Sequence, residues 1–389
     1  MATAVIVDAV RTALGRRNGK LKDWHPVDLA AETLKSLVTR NDLDPALIED
    51  VIMGCVMQTG EQGLNVGRNA ALAAGFPESV VGTTVDRQCG SSQQTAHFAA
   101  QGVIAGAYDV VIAAGLEHMT RVPMGVTMTN GPGLPFGPRM MERYQDVGGL
   151  VPQGISAEMI ADKWDLSREE LDAFSVESHK RAARATEEGR FEREIIPINV
   201  DIDTGKEEFA RDEGIRPDSS VETLANLKPA FKPDGKVTAG NSSQITDGAS
   251  ALLIMSEEKA NQLGLTPRAR FHSFALAGVD PVIMLTGPIP ATTKILERSG
   301  MTLDDIDLVE INEAFASVVL AWEKEHHPDM SKVNVNGGAI ALGHPLGASG
   351  ARLMATLLCE LERTGGRWGL QTMCEGGGMA NATIIERLG

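Results

Sequence analysis

Between Ala4 and Ala114, short β-branched runs alternate with longer stretches in which apolar positions return every three or four residues. This alternation predicts strands interleaved with helices, the plan of a layered α/β domain. Ala4-Val5-Ile6-Val7, Asp50-Val51-Ile52-Met53, Val80 to Val85 and Asp109 to Ala114 read as strands. Pro26 to Arg40, Val66 to Ala74 and Gly90 to Ile104 read as helices, the last with Ala96, Ala99, Ala100, Val103 and Ile104 on one stripe.

The C-terminal third repeats the plan. Ile48-Glu49-Asp50-Val51-Ile52 has a counterpart in Ile306-Asp307-Leu308-Val309, and Cys89-Gly90-Ser91-Ser92 has one in Gly347-Ala348-Ser349-Gly350, at nearly constant spacing. An amphipathic helix follows each cluster, marked in the second half by Ala351, Met354, Leu357, Leu358 and Leu361, and then a strand, Trp368 to Met373. Two similar halves packed face to face, with a site between them, are the expected architecture.

Between the halves the pattern weakens. The stretch Met119 to Met159 holds six of the 16 methionines together with Pro123, Pro132, Pro135, Pro138 and Pro152, and is expected to be mostly loop. A capping box, Ser167 with Glu170, announces a helix that Gly189 stops, and Lys228 to Asn241 is again rich in Pro, Gly and Lys. Residues 118–245 read as an inserted loop domain covering the site, because thioether side chains adapt to long apolar ligands. An irregular core filled by methionine is the alternative.

A chain of 389 residues is long enough for two or three packed units, and 43% hydrophobic with 23% charged residues is ordinary for a globular enzyme. The net charge of −16 disfavours nonspecific binding to nucleic acid or to an anionic membrane, while local positive charge can still hold an acidic small molecule. No apolar run approaches the roughly 20 residues of a membrane span, and Asp8 interrupts the opening run where a signal peptide would stay uncharged. A cytoplasmic protein is expected. Cys55, Cys89, Cys359 and Cys374 form no C-x-x-C pair and are expected as thiols.

Cys89 stands at a strand-to-helix junction, where free N–H groups and the helix dipole favour a thiolate nucleophile. Gly90 is expected to let a substrate approach the backbone. Taken alone, a cysteine at a helix start is more often a buried packing residue. In Asn334 to Gly347, glycines and Pro345 hold a sharp turn around His344, a setting suited to an imidazole acting on a thiol. The other seven histidines read as core or surface residues. Cys374 precedes Glu375-Gly376-Gly377-Gly378, whose N–H groups suit an oxyanion hole, and Asn312 ends a strand with an amide that either anchors a water or caps a helix. Zinc is the rival reading for the cysteines, and their spacing argues against it.

Together, Cys89-Gly90-Ser91-Ser92, Asn312-Glu313-Ala314-Phe315, Gly343-His344-Pro345 and Cys374-Glu375-Gly376-Gly377-Gly378 resemble the thiolases, in the branch that cleaves 3-ketoacyl-CoA. The resemblance covers the whole chain, with the motifs in the family's order. It implies a five-layered α-β-α-β-α sandwich of two βαβαβαββ halves, residues 1–117 with 246–267 and residues 268–389, and a loop domain at 118–245. It also implies an acyltransferase that needs no metal or prosthetic group, takes CoA and 3-ketoacyl-CoA as substrates, and works as a homodimer or homotetramer.

The implied roles are specific. His344 takes the proton of Cys89, whose sulfur attacks the 3-keto carbon, and Cys374 protonates the departing acetyl-CoA enolate. His344 and a water held by Asn312 serve the enolate, and the N–H groups of Cys89 and Gly376 serve the tetrahedral intermediate. Arg216 is implied near the adenine and phosphates of CoA, Ala239, Ser243 and Ile245 along the pantetheine, Phe231 against it, and Ala314 and Phe315 in its tunnel. Short-chain biosynthetic thiolases carry His-Met-Gly where this chain has Pro152-Gln153-Gly154, which favours degradation over acetoacetyl-CoA synthesis. The run Asp86 to Gln94 also looks like actinobacterial thiolases of lipid and steroid side-chain breakdown. The alternatives are an acetyl-CoA acetyltransferase and an inert acyl-CoA or sterol carrier on the same fold.

Overall fold

The computed structural model describes residues 2–129, 131–202 and 205–389. Nine longer strands carry its main sheet: β1 (Ala4–Thr12), β2 (Asp50–Gly54), β3 (Val81–Val85), β4 (Val110–His118), β5 (Thr246–Ser256), β6 (Ala269–Gly278), β7 (Leu308–Ile311), β8 (Trp368–Glu375) and β9 (Met379–Arg387). They run in the order β7-β8-β9-β6-β1-β5-β4-β2-β3. The join between β6 and β1 is narrow, pairing Val5 with Arg270 and Ile6 with Ala269, so two sheets meet there edge to edge.

Each sheet has the same internal plan. In the first, β2 is parallel to β3 and β4, while β5 is antiparallel to both β4 and β1. In the second, β7 is parallel to β8, and β9 is antiparallel to both β8 and β6. A parallel bridge from Val309 to Val333 occupies the place that β3 has in the first sheet. The repeat read from the sequence is therefore a repeat of topology.

Helices separate the layers. One face of the first sheet packs on α1 (Pro26–Arg40) and α2 (Val66–Ala73) through Leu29, Leu34, Leu37, Val66 and Ala70. The other face meets α3 (Ser91–Ala105), and a helix of the second half, α8 (Ser349–Thr364), lies beside it. Ala96, Ala99 and Val103 of α3 and Met354, Leu357 and Leu361 of α8 share one core with Ile6 and Ile254 of the first sheet and Phe271 and Ile385 of the second. Beyond the second sheet lie α6 (Pro288–Ser299) and α7 (Ala316–His326), with Ile295 and Trp322 inward. The five layers α-β-α-β-α follow in that order.

The segment between β4 and β5 is more helical than expected. It contains α4 (Gln153–Lys163) and α5 (Arg168–Glu187), which pack on α7, besides a strand pair Ile198–Ile202 with Gly205–Phe209. Helix α5 begins with the expected capping box, since Ser167 Oγ accepts the Glu170 N–H and the Glu170 carboxylate accepts the Ser167 N–H. Of the clustered methionines, Met119 packs in the apolar group around Cys89, whereas Met124, Met128, Met140 and Met141 face outward in the single chain.

Candidate active site

Both central helices begin at one place between the halves. Cys89 immediately precedes the Gly90 that starts α3, and Ser349 is the first residue of α8. The two starts are knitted together by the Ala351 N–H donating to Ser92 Oγ at 2.9 Å. They are also chemically alike: Ser91 Oγ donates to Gln88 O at 2.6 Å, and Ser349 Oγ donates to Pro345 O at 2.8 Å.

That last bond fixes the imidazole. His344 Nδ1 lies 2.5 Å from Ser349 Oγ, whose own proton is committed to Pro345, so Nδ1 carries the hydrogen and Nε2 keeps its lone pair. Asn312 Nδ2 approaches Nε2 at 3.4 Å, and Asn312 Oδ1 is buried with no protein partner. The His344 N–H is held by Gln244 O and Thr246 Oγ1 at 3.2 and 3.1 Å. Gly343 has φ +109°, and a Cβ there would lie 2.3 Å from Thr246 Oγ1, so only glycine fits the turn. Burial, with Arg352 nearby, pushes the imidazole down to about 3, leaving it a neutral base.

Cys89 and Cys374, from opposite halves, are both buried. Cys89 packs with Val56, Met57, Met119, Val122, Leu346 and Met373, and Cys374 packs with Ala314, Phe315, Met284 and Leu285. Cys374 lies within the electrostatic reach of Cys89, and burial raises both thiols. For Cys89 the result is about 12, burial and Glu375 opposing the N–H groups of Gly376 and of Cys89 itself, which point at the sulfur. The expected readily ionised thiolate is thus corrected: the site is too dry for the helix start to dominate. Cys89 and His344 make no direct hydrogen bond to each other in this structure, and neither group is charged at neutral pH.

Two further details differ from the sequence reading. Cys374 and Glu375 belong to β8 because β9 continues the ladder, pairing Cys374 with Ala380 and Glu375 with Met379. Gly90 has an ordinary φ of −85°, and a Cβ on it would strike Glu375 Oε1, so packing against this carboxyl already requires glycine there.

Several of the residues expected along CoA touch one another. Ser243 donates its N–H to Ala314 O at 2.9 Å, Ser242 bridges to Phe315, and Phe231 meets the Phe315 ring edge to face at 6.0 Å. Ile245 packs against the Cys89 group, between the two residues that hold His344. Ala239 and Arg216 are exposed, Arg216 two residues after Gly214, whose Cα abuts Ala341 O of the histidine segment. Gln153, from the segment that departs from the short-chain pattern, lies with Gln88 against Gly376.

Sequence reasoning missed Glu117. Its buried carboxylate accepts the N–H groups of Val56, Met57 and Gly347 and the Gln62 amide, at 2.9 to 3.1 Å, tying the loop after β2 to the histidine turn. Glu313 does the same for the Asn312 loop through Ser178, Asn334 and the Ile340 N–H. Among the described residues no group of three or more His, Cys, Asp or Glu side chains could hold a metal ion, and no helix is long and apolar enough to cross a membrane.

Comparison with known proteins agrees with this geometry. Residues 4–258 match the family model described as thiolase, N-terminal domain, and residues 265–387 match thiolase, C-terminal domain. A steroid 3-ketoacyl-CoA thiolase of Mycobacterium tuberculosis is 53% identical over 100% of this chain and 95% of its own length. A 3-ketoacyl-CoA thiolase of Aliivibrio salmonicida is 48% identical over the full length of both. The crystal structure of the Bacillus anthracis acetyl-CoA acetyltransferase superposes with a TM-score of 0.91 at 41% identity, covering 100% of this chain and 99% of that one. With both family models matched in order and relatives aligned from end to end, this chain belongs to the thiolase family.

Proposed function

We propose that the chain is a degradative 3-ketoacyl-CoA thiolase that works through an acyl-cysteine and needs no metal or prosthetic group. The reading rests on one observation: the thiols of the two halves lie within electrostatic reach of each other, and an imidazole whose unprotonated Nε2 faces Asn312 stands two residues before Leu346 of the group around Cys89. In the first half-reaction Nε2 takes the Cys89 proton as the sulfur bonds to the 3-keto carbon. In so dry a site, proton transfer and attack proceed together. The Gly376 and Cys89 N–H groups receive the oxyanion. The C2–C3 bond then breaks, Cys374 protonates C2 of the enolate, and acetyl-CoA departs. Asn312 and a water it holds, with His344, stabilise that enolate. In the second half-reaction Cys374 takes the CoA thiol proton, CoA attacks the thioester, and Cys89 recovers its proton from His344.

CoA enters along Ser243, Ile245, Ala314, Phe315 and Phe231, with Ala239 at the exposed end and Arg216 supplying positive charge near the phosphates. The steroid 3-ketoacyl-CoA thiolase at 53% identity supports a lipid or steroid-derived acyl group. Four buried free thiols support a reducing, cytoplasmic setting, and the open edge of β3, with exposed Val81 and Leu64 nearby, supports a homodimer or a homotetramer built from it.

The test is intact-protein mass spectrometry after incubation with 3-ketoacyl-CoA of several lengths and no free CoA. A single added acyl mass on Cys89, largest for the preferred chain, is expected. Comparison with acetoacetyl-CoA separates a degradative enzyme from an acetyltransferase. Cys89→Ala removes the adduct and thiolysis while retaining CoA binding; undiminished thiolysis in that variant would reject the assignment.

A further inference from the structure

Glu375 has no part in the steps above, yet it stands next to Cys374 in the chain and against Cys89 in space. Its side chain is fully buried, and neither carboxyl oxygen has a hydrogen-bond partner in the protein. One of them lies so close to the turn after Cys89 that a Cβ on Gly90 would come within 2.0 Å of it. The other groups facing it are few. Asn381 Nδ2 lies in the same contact but donates to Gly90 O at 3.0 Å. Arg87, whose buried Nε also lacks a partner, is near without closing an ion pair, and Asp86 adds a second negative charge. Cys89 and Cys374 complete the surroundings.

An isolated carboxylate in such a place is strongly disfavoured, and the uncharged acid is the form that fits. The consequences reach the thiols, because a charge at Glu375 opposes a second negative charge on either sulfur. We propose that Glu375 works as an uncharged acid and that its ionisation opposes thiolate formation at Cys89 and Cys374, so that this one carboxyl sets the alkaline limit of acyl transfer. Burial pushes it up to about 8, with Asp86 adding to the effect and Arg87 opposing it, which puts the transition in an accessible range. Glu375 touches no reacting atom in this account; it is a tuning residue for the two that do.

The proposal rests on Cys89 being the nucleophile, and the test separates the two claims. Iodoacetamide alkylation of Cys89 is followed by intact and peptide mass in wild type and in Glu375→Gln between pH 6.5 and 9.5. At pH 6.5, where both side chains are neutral, the rates match. At pH 9.5 the variant reacts about tenfold faster, the ratio that one unit of thiol acidity produces. Glu375→Met, equally uncharged, gives the same pH-dependent gap should the amide fail to fit. Identical profiles, or a gap that is constant with pH and so reports packing alone, overturn the role of Glu375. Label that avoids Cys89 at every pH overturns the nucleophile reading and this proposal with it.

Discussion

Ser349 shows how much a single hydroxyl can decide. By accepting from His344 Nδ1 and donating to Pro345 O, it leaves the imidazole one tautomer, with its basic nitrogen facing Asn312. Ser349→Ala removes that choice without touching substrate, so kcat should fall about tenfold to a hundredfold with KM little changed, as steady-state kinetics would report. The imidazole itself carries a pH prediction. Burial lowers its folded value to about 3, below the ordinary 6.5, so the neutral base persists as pH falls from 7 to 5. Single-turnover acylation should therefore show no loss with a midpoint near 6.5; a limb there would put the base elsewhere. Cys89, His344 and Cys374 drew notice in the sequence because glycines, with Pro345 beside His344, restrict the backbone around each, whereas Asn312 stood out only through the conjunction of motifs that resembles the thiolases. Ser349, Thr246 and Gln244 were not, since a residue that only holds another leaves no local pattern. The acidity of Cys89 was misjudged for a related reason: a helix start can be read from sequence, but the dryness around it is made by residues far away in the chain, among them Val56, Met119, Val122 and Leu346.

At the scale of elements, the central unit is the pair α3 and α8 with the turns that precede them. Glu117, near the end of β4, holds the loop after β2 and the Gly347 N–H with one carboxylate, so it sets where His344 lies relative to Cys89. Glu117→Ala strands the buried N–H groups of Val56, Met57 and Gly347. We expect a loss of about 3 kcal/mol or more in unfolding free energy, read by denaturant titration, together with a fall in kcat. Unchanged kcat in a folded variant would show that the histidine turn holds itself. Elements with one polar face were readable: α1 and the capping box of α5 came out as expected. Strands β5, β6 and β9 were not anticipated. Strand β5 is buried along its whole length, so it shows no alternation, and its opening Thr246-Asp247-Gly248-Ala249-Ser250 lacks the β-branched run that marks a strand. Its position comes from pairing with β1 and β4, contacts remote in sequence.

For the whole molecule, the repeat of strand order was visible as two matching fragments, because equivalent turns must build equivalent helix starts. The way the sheets join through two residue pairs of β1 and β6 had no such signal. At the other end of the first sheet β3 stays unpaired on its outer side, with Val81 54% and Leu64 93% exposed, an edge that invites a second copy. Val81→Asp with Leu64→Asp should shift the assembly toward monomer by light scattering after size exclusion; an unchanged mass would move the interface elsewhere. The two halves also divide the chemistry. In the proposed mechanism Cys89 comes from one half and His344, Cys374 and Asn312 from the other, so a single half would own either the sulfur proposed to carry the acyl group or the base proposed to activate it, never both. A reaction divided in this way is complete only where the two halves meet.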